Sequence, residues 1–154
     1  MDNTIFEKLV LQNEQKLYRI SMSMLKNEAD AQDAVHDAIL KAYENLSSLK
    51  KEEYFSTWLT RILINCCNRQ LKSRSRNTSI GDTLPDVASR NNPYLSVEVG
   101  EAIDSLPSKI RITVILYYIE DFSVKDIKRV LHIPEGTVKS RLSKGRALLK
   151  EMLK

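Results

Sequence analysis

The strongest constraint on this chain is a proline-punctuated break inside a helical pattern, in the stretch SVKDIKRVLHIPEGTVKSRLSKGRALL, residues 123–149. Ser123 with Asp126 three residues on makes a capping-box variant, in which side chains satisfy the free N–H groups of a helix start. Ile127, Val130 and Leu131 then fall on one face. His132-Ile133-Pro134 interrupts, because proline disfavours a helical conformation in the residue before it. Pro134 suits the first turn of a new helix, where its missing N–H costs nothing.

In that second helix Val138, Leu142, Gly145 and Leu149 recur at spacings of four, three and four, an inward stripe. Ser140, Ser143 and Lys144 point the opposite way, flanked by Lys139 and Thr137, and no carboxylate occurs from residue 137 to 150. A short, polar, basic face is what a helix needs to enter the major groove, where base edges offer hydrogen bonds and phosphates line both rims. Residues 123–154 hold nine Lys and Arg against three Asp and Glu. Break, cap, stripe and basic face agree on a helix-turn-helix with a recognition helix. The competing reading is a solvated basic helix that closes a bundle.

The chain's 154 residues allow one domain or two small ones. Four glycines and little β-branched alternation predict an all-α protein. The net charge of +4 is modest but unevenly placed. Residues 1–53 carry seven basic and ten acidic side chains, whereas residues 54–76 carry five basic and none acidic. An acidic head followed by two separate basic patches implies two kinds of partner, one basic and one polyanionic. Adjacent Cys66 and Cys67 are poorly placed for a structural disulfide. No metal-ligand spacing links them to His36 or His132, so no metal or cofactor is expected. No apolar run approaches a membrane span and no signal-peptide core is present, which predicts a cytoplasmic protein without direct membrane insertion.

Taken in order, Thr4 with Glu7 reads as a capping box for a first helix striped by Ile5, Phe6, Leu9, Val10, Leu17, Ile20, Met24 and Leu25. A turn and new cap at Asn27 to Asp30 lead into a second helix, with Ala34, Val35, Ala38, Ile39, Ala42 and Leu46 facing in. Glu28, Asp30, Asp33, Asp37 and Glu44 keep its other side acidic. A third helical pattern follows in YFSTWLTRILINCCNRQLKSRSR, where Phe55, Trp58, Leu59, Ile62 and Leu63 pack inward. Its stripe weakens at Asn65, Cys66, Cys67 and Asn68, and Arg69, Lys72, Arg74 and Arg76 come after. Aromatics and amides beside basic residues suit an unstacked base held near a phosphate backbone. The structural reading comes first for Trp58, as a core anchor, and Asn65 and Asn68 also suit the end of a helix as caps. Residues 77–96 lack periodicity and read as a flexible linker between domains at 1–76 and 97–154. A helix is expected over 97–104, and another from Ser105-Leu106-Pro107, with Ile110, Val114, Ile115 and Tyr118 inward, ending near Glu120-Asp121. With the helix-turn-helix these make a four-helix C-terminal domain.

On these pieces the chain resembles the extracytoplasmic-function class of bacterial sigma factors. AQDAVHDAILKAY is similar to the helix with which that family grips the RNA polymerase clamp, and FSTWLTRILINCCNRQLKSR to its minus-ten melting segment. IDSLPSKIR leading into IPEGTVKSRLSKGRALL resembles its minus-thirty-five-binding domain. The resemblance implies a specificity subunit that carries core polymerase to promoters, through the β′ clamp and β flap, and helps open the DNA under envelope or environmental stress. It implies a polymerase contact at Asp33, His36, Asp37 and Leu40. It implies that Asn65, Cys66, Cys67 and Asn68 form a loop capturing a flipped base, with Trp58, Arg61, Arg69 and Lys72 also on the minus-ten element. Lys139, Ser140, Ser143 and Lys144 would then read the upstream element, with Thr137, Arg141 and Arg146 on phosphates. A membrane-anchored anti-sigma factor is the further partner implied. The chain departs from the family pattern at His36-Asp37, usually Gln-Glu, at Lys128, usually alanine, and at His132, frequently glycine. Lys128 must snorkel past its neighbour.

Two other classes of function fit parts of the sequence. A self-sufficient helix-turn-helix regulator needs an apolar exposed seam for dimerisation, and none is clear. An enzyme acting on DNA needs a nucleophile with a base, or clustered carboxylates, beside the DNA face; Ser140 and Ser143 have neither close in sequence.

Overall fold

The computed structural model describes residues 1–77 and 96–154, with side chains to residue 76 in the first segment. Most of the expected linker therefore lies outside the described residues. The chain divides into two units, Met1–Ala88 and Ser89–Lys154. Every described element is helical.

The first unit is a three-helix assembly of α1 (Asn3–Leu25), α2 (Glu28–Glu44) and α3 (Phe55–Asn77). The expected capping box at Thr4 and Glu7 does not form. Asp2 caps α1 instead, accepting from the Thr4 N–H at 3.2 Å, because the helix already begins at Asn3. Asn27 caps α2 as expected, its Oδ1 2.8 Å from the Asp30 N–H. The buried face of α2 is nearly all alanine, with Ala31, Ala34, Ala38 and Ala42 fully enclosed. Small side chains let α2 approach its neighbours closely, so larger groups on α1 and α3 (Leu17, Ile20, Leu25, Phe55, Leu59 and Leu63) fill the core. Phe6 meets Phe55 and Tyr43 edge-on at 5.8 and 5.4 Å.

The helix α3 runs 23 residues without interruption. This corrects the expected loop at Asn65, Cys66, Cys67 and Asn68. Cys66 and Cys67 are buried, and the apparent weakening of the stripe is a place where small thiols pack in the core. Burial pushes the Cys66 thiol up to about 11, with the Asp37 carboxylate adding to the rise, and pushes Cys67 up to about 12. Both stay protonated at neutral pH and are chemically inert.

The second unit contains α4 (Val97–Asp104), α5 (Ser108–Val114), a π-helical turn (Ile115–Ile119), α6 (Val124–Leu131) and α7 (Glu135–Met152). The guanidinium of Arg111 donates to the carbonyls of Asp104 and Leu106, both at 3.1 Å, and ties the α4–α5 connection to α5. Ser123 and Asp126 form the capping box at α6. His132 takes the left-handed conformation (φ 57°), and Pro134 lies one residue before α7, as its N-cap rather than in its first turn. The Pro134 carbonyl accepts from Thr137 and Val138 at 3.0 and 3.1 Å. Tyr118 does not face inward as expected: the π turn shifts the register and leaves it 48% exposed.

Gly145 sets the spacing of α7 on α5. A Cβ there would stand 2.6 Å from Val114 Cγ2 and 3.1 Å from Ile110 Cγ2, whereas one on Gly136 meets nothing within 4 Å. Overpacking costs about 1–3 kcal/mol against roughly 1 kcal/mol gained in helix propensity. Gly145→Ala is therefore expected to destabilise this unit by about 1 kcal/mol, and Gly136→Ala to stabilise it by about 0.5–1 kcal/mol. Calorimetry on the full chain reads both signs; a stabilised Gly145→Ala would mean that the α5–α7 contact has slack.

Candidate nucleic-acid interface

On α7 the inward positions Val138, Leu142 and Gly145 are buried. The opposite side presents Lys139, Ser140, Ser143, Lys144 and Arg146 in the open, with Thr137 and Arg141 half-buried at its edges. At about 100° per residue Ser140 points directly away from the core, Ser143 and Lys144 stand on either side of it, and Lys139 and Arg146 line one flank. All seven residues expected on the upstream element thus surround one exposed face. Arg146 also donates to the Tyr118 hydroxyl at 3.0 Å. Lys128 is exposed, so the helix-turn-helix accommodates it by turning it out to water.

The second basic surface is a stripe along α3. Arg61, Asn65, Asn68, Arg69, Lys72 and Arg76 are exposed, and their spacing puts them on one side of the helix with half-buried Trp58 at its N-terminal end. Cys66 and Cys67 leave the candidate set. Trp58 packs on Phe55, centroids 5.7 Å apart, and its indole N–H donates to Ser48 Oγ at 3.0 Å, so one edge is anchored while the rest faces out. Sequence reasoning missed what lies beside it, the connection between α2 and α3. Two short 3₁₀ turns there, Leu46–Ser48 and Glu52–Tyr54, expose Ser48, Lys50, Lys51 and Tyr54, with Lys51 Nζ 5.9 Å from the Tyr54 ring centroid. The available signal was a basic pair and an aromatic in the non-periodic gap before Phe55.

The acidic surface is on α2. Asp33, His36 and Leu40 are exposed, and Asp37 is half-buried on the same side of the helix. The two aspartates have different surroundings. Asp33 projects into solvent, while Asp37 stands 3.5 Å from Lys41 Nζ and 3.8 Å from Arg69 Nη1 on α3. Asp30 pairs with Arg74 of α3, whose neighbour Gln70 donates to the Asp30 carbonyl at 3.2 Å. Folding thus supplies a reason to keep Asp37, which Asp33 lacks.

Residues 9–77 match the Sigma-70 region 2 family and residues 96–149 match Sigma-70, region 4. Curated relatives include the ECF RNA polymerase sigma factor SigM of Mycobacterium tuberculosis, 30% identical over 99% of this chain and 79% of the relative. Another is SigW of Bacillus subtilis, 29% identical over 99% of this chain and 91% of the relative. The chain belongs to the extracytoplasmic-function sigma factors. Its fold agrees: the sigma factor RpoE of Bartonella quintana, solved with its anti-sigma factor NepR, superposes with a TM-score of 0.85 at 28% identity, covering 96% of each chain. CnrH, solved with the cytosolic domain of CnrY, shares the fold at a TM-score of 0.72 and 21% identity, over 99% of this chain and 89% of that one. As a sigma factor the protein is a transcription initiation factor, and its two basic faces fall one in each matched region. No described helix is long and apolar enough to cross a membrane.

Proposed function

We propose that this sigma factor is a non-enzymatic, cytoplasmic specificity subunit that carries core RNA polymerase to stress-responsive promoters. The α2 face of Asp33, His36, Asp37 and Leu40 docks on the β′ clamp, and the second unit meets the β flap. The exposed face of α7 reads the minus-thirty-five element, and the α3 stripe holds the minus-ten strand. An anti-sigma factor, membrane-anchored as the resemblance implies, keeps the protein inactive until the stress arrives. The observation that carries this reading is the pairing of one acidic and two basic helical faces within matched sigma regions. A flipped base needs a concavity, which an unbroken helix does not offer. We therefore place base capture at the α2–α3 connection, between Trp58 and the exposed Lys51 and Tyr54, with Asn65 contacting the same strand further along α3.

Transcription with purified core polymerase tests the whole reading. Added sigma factor should direct initiation from a subset of promoters; DNA binding as a dimer without polymerase would favour a free-standing regulator. Within that assay, Asn65→Ala is expected to leave closed-complex binding near wild type and to reduce permanganate-detectable melting. Impaired docking with normal melting would count against the strand contact.

A further inference from the structure

We propose that Tyr118 is a DNA-backbone contact, acting with Arg146 as a pair of donors to one phosphate. The inference rests on the reading that α7 enters promoter DNA. It begins with the π turn Ile115–Ile119, where the Glu120 N–H reaches back to the Ile115 carbonyl at 3.0 Å. The extra residue in this turn carries Tyr118 out of the core stripe to the surface, and such turns often mark functional positions in helices. Tyr117 packs edge-on against its ring, centroids 4.9 Å apart at 83°, which restricts how the ring swings.

The Tyr118 oxygen then receives the Arg146 N–H at 3.0 Å, across 28 residues of sequence. A phenol accepting from a guanidinium keeps its own proton, and the cation makes that O–H a stronger donor. Arg146 retains further N–H groups for the same acceptor. Two donors held side by side match the two non-bridging oxygens of a phosphodiester. The occupant follows from charge: this flank of α7 also carries Lys139 and Lys150, and no carboxylate occurs on α7 from residue 137 to 150. Solvent competes for both exposed side chains, which discounts what the pair adds to folding. The contact extends the upstream interface beyond α7 to the π turn that follows α5.

The test uses the full chain with core polymerase on promoter duplexes, each carrying a single neutral methylphosphonate linkage at successive positions across the upstream element. Wild type should lose affinity at one linkage beside the groove. Tyr118→Phe should weaken binding to unmodified DNA by about tenfold, the worth of a hydrogen bond to a charged acceptor, whatever the base sequence. It should also lose part of its sensitivity to the same linkage, keeping the part that the Arg146 charge supplies. Arg146→Ala should lose sensitivity there too and lower the salt slope by about one, which the neutral phenylalanine variant should not. A thermal melt confirms that Tyr118→Phe folds. If wild type binds and Tyr118→Phe binds equally well, or weakens without losing sensitivity at any linkage, the inference is overturned. Failure of wild type to bind any promoter with core polymerase would instead sink the underlying function along with it.

Discussion

Asp33→Arg should fold like wild type and lose the competition for core polymerase by roughly 30- to 150-fold, about 2–3 kcal/mol. Reversal removes an attraction to a basic partner and introduces a repulsion, which is why the expected effect exceeds that of truncation. Folding should not notice, because Asp33 is exposed and stands one turn from Asp37, where like charges cost a few tenths of a kcal/mol. The same reversal at Asp37 would be a poor probe, since that carboxylate also faces Lys41 and Arg69. The deficit should shrink as salt screens the attraction. Competition at two ionic strengths, with circular dichroism as the folding control, is the measurement. A folded Asp33→Arg protein that binds polymerase like wild type would mean that this side of α2 is merely solvated.

Lys144→Ala should cost about 1–3 kcal/mol at the matched promoter and flatten discrimination at one or two base positions. Lys144 lies on the side of α7 away from the buried line of Val138, Leu142 and Gly145, which in the proposed complex is the side that faces the groove. Like Lys139 on the other side of the exposed face, it is long enough to reach guanine O6 and N7, although lysine selects less sharply than a bidentate arginine. Arg146→Ala, on the flank, should weaken all sequences alike. Binding to a panel of single-base variants separates the two. A Lys144→Ala loss that is equal on every DNA would move Lys144 from the groove to the backbone.

Most of what the sequence made legible is local. The Ser123–Asp126 capping box and the Asn27 cap depend on residues a few positions apart, and both formed as the spacing implied. The α7 stripe was equally readable, because periodicity alone separates Val138 and Leu142 from Ser140 and Lys144. What could not be read came from distant partners. Nothing near Cys66 and Cys67 in sequence says that an alanine-lined helix packs against them, so small buried thiols passed for a break in the stripe. Tyr118 was misplaced because a single π turn rotates whatever follows it, and no local pattern announces that turn. The likeness to a family supplied the expected roles, and it carried the loop reading onto residues that here are helical.

In the proposed function Asp37 belongs to two surfaces at once, the α2 face toward polymerase and, through Arg69, the α3 stripe toward DNA. Any ligand that draws this carboxylate away frees the guanidinium, so the two binding equilibria are thermodynamically linked. Linkage is reciprocal: whatever factor polymerase adds to affinity for the promoter strand, the strand must return to polymerase. The Arg69 and Asp37 side chains are 61% and 48% exposed, which limits that factor to about fivefold, or about 1 kcal/mol. Its measure is a double-mutant cycle on Asp37 and Arg69, run once with polymerase alone and once with DNA present. A single substitution at either residue, read by itself, reports on both partners.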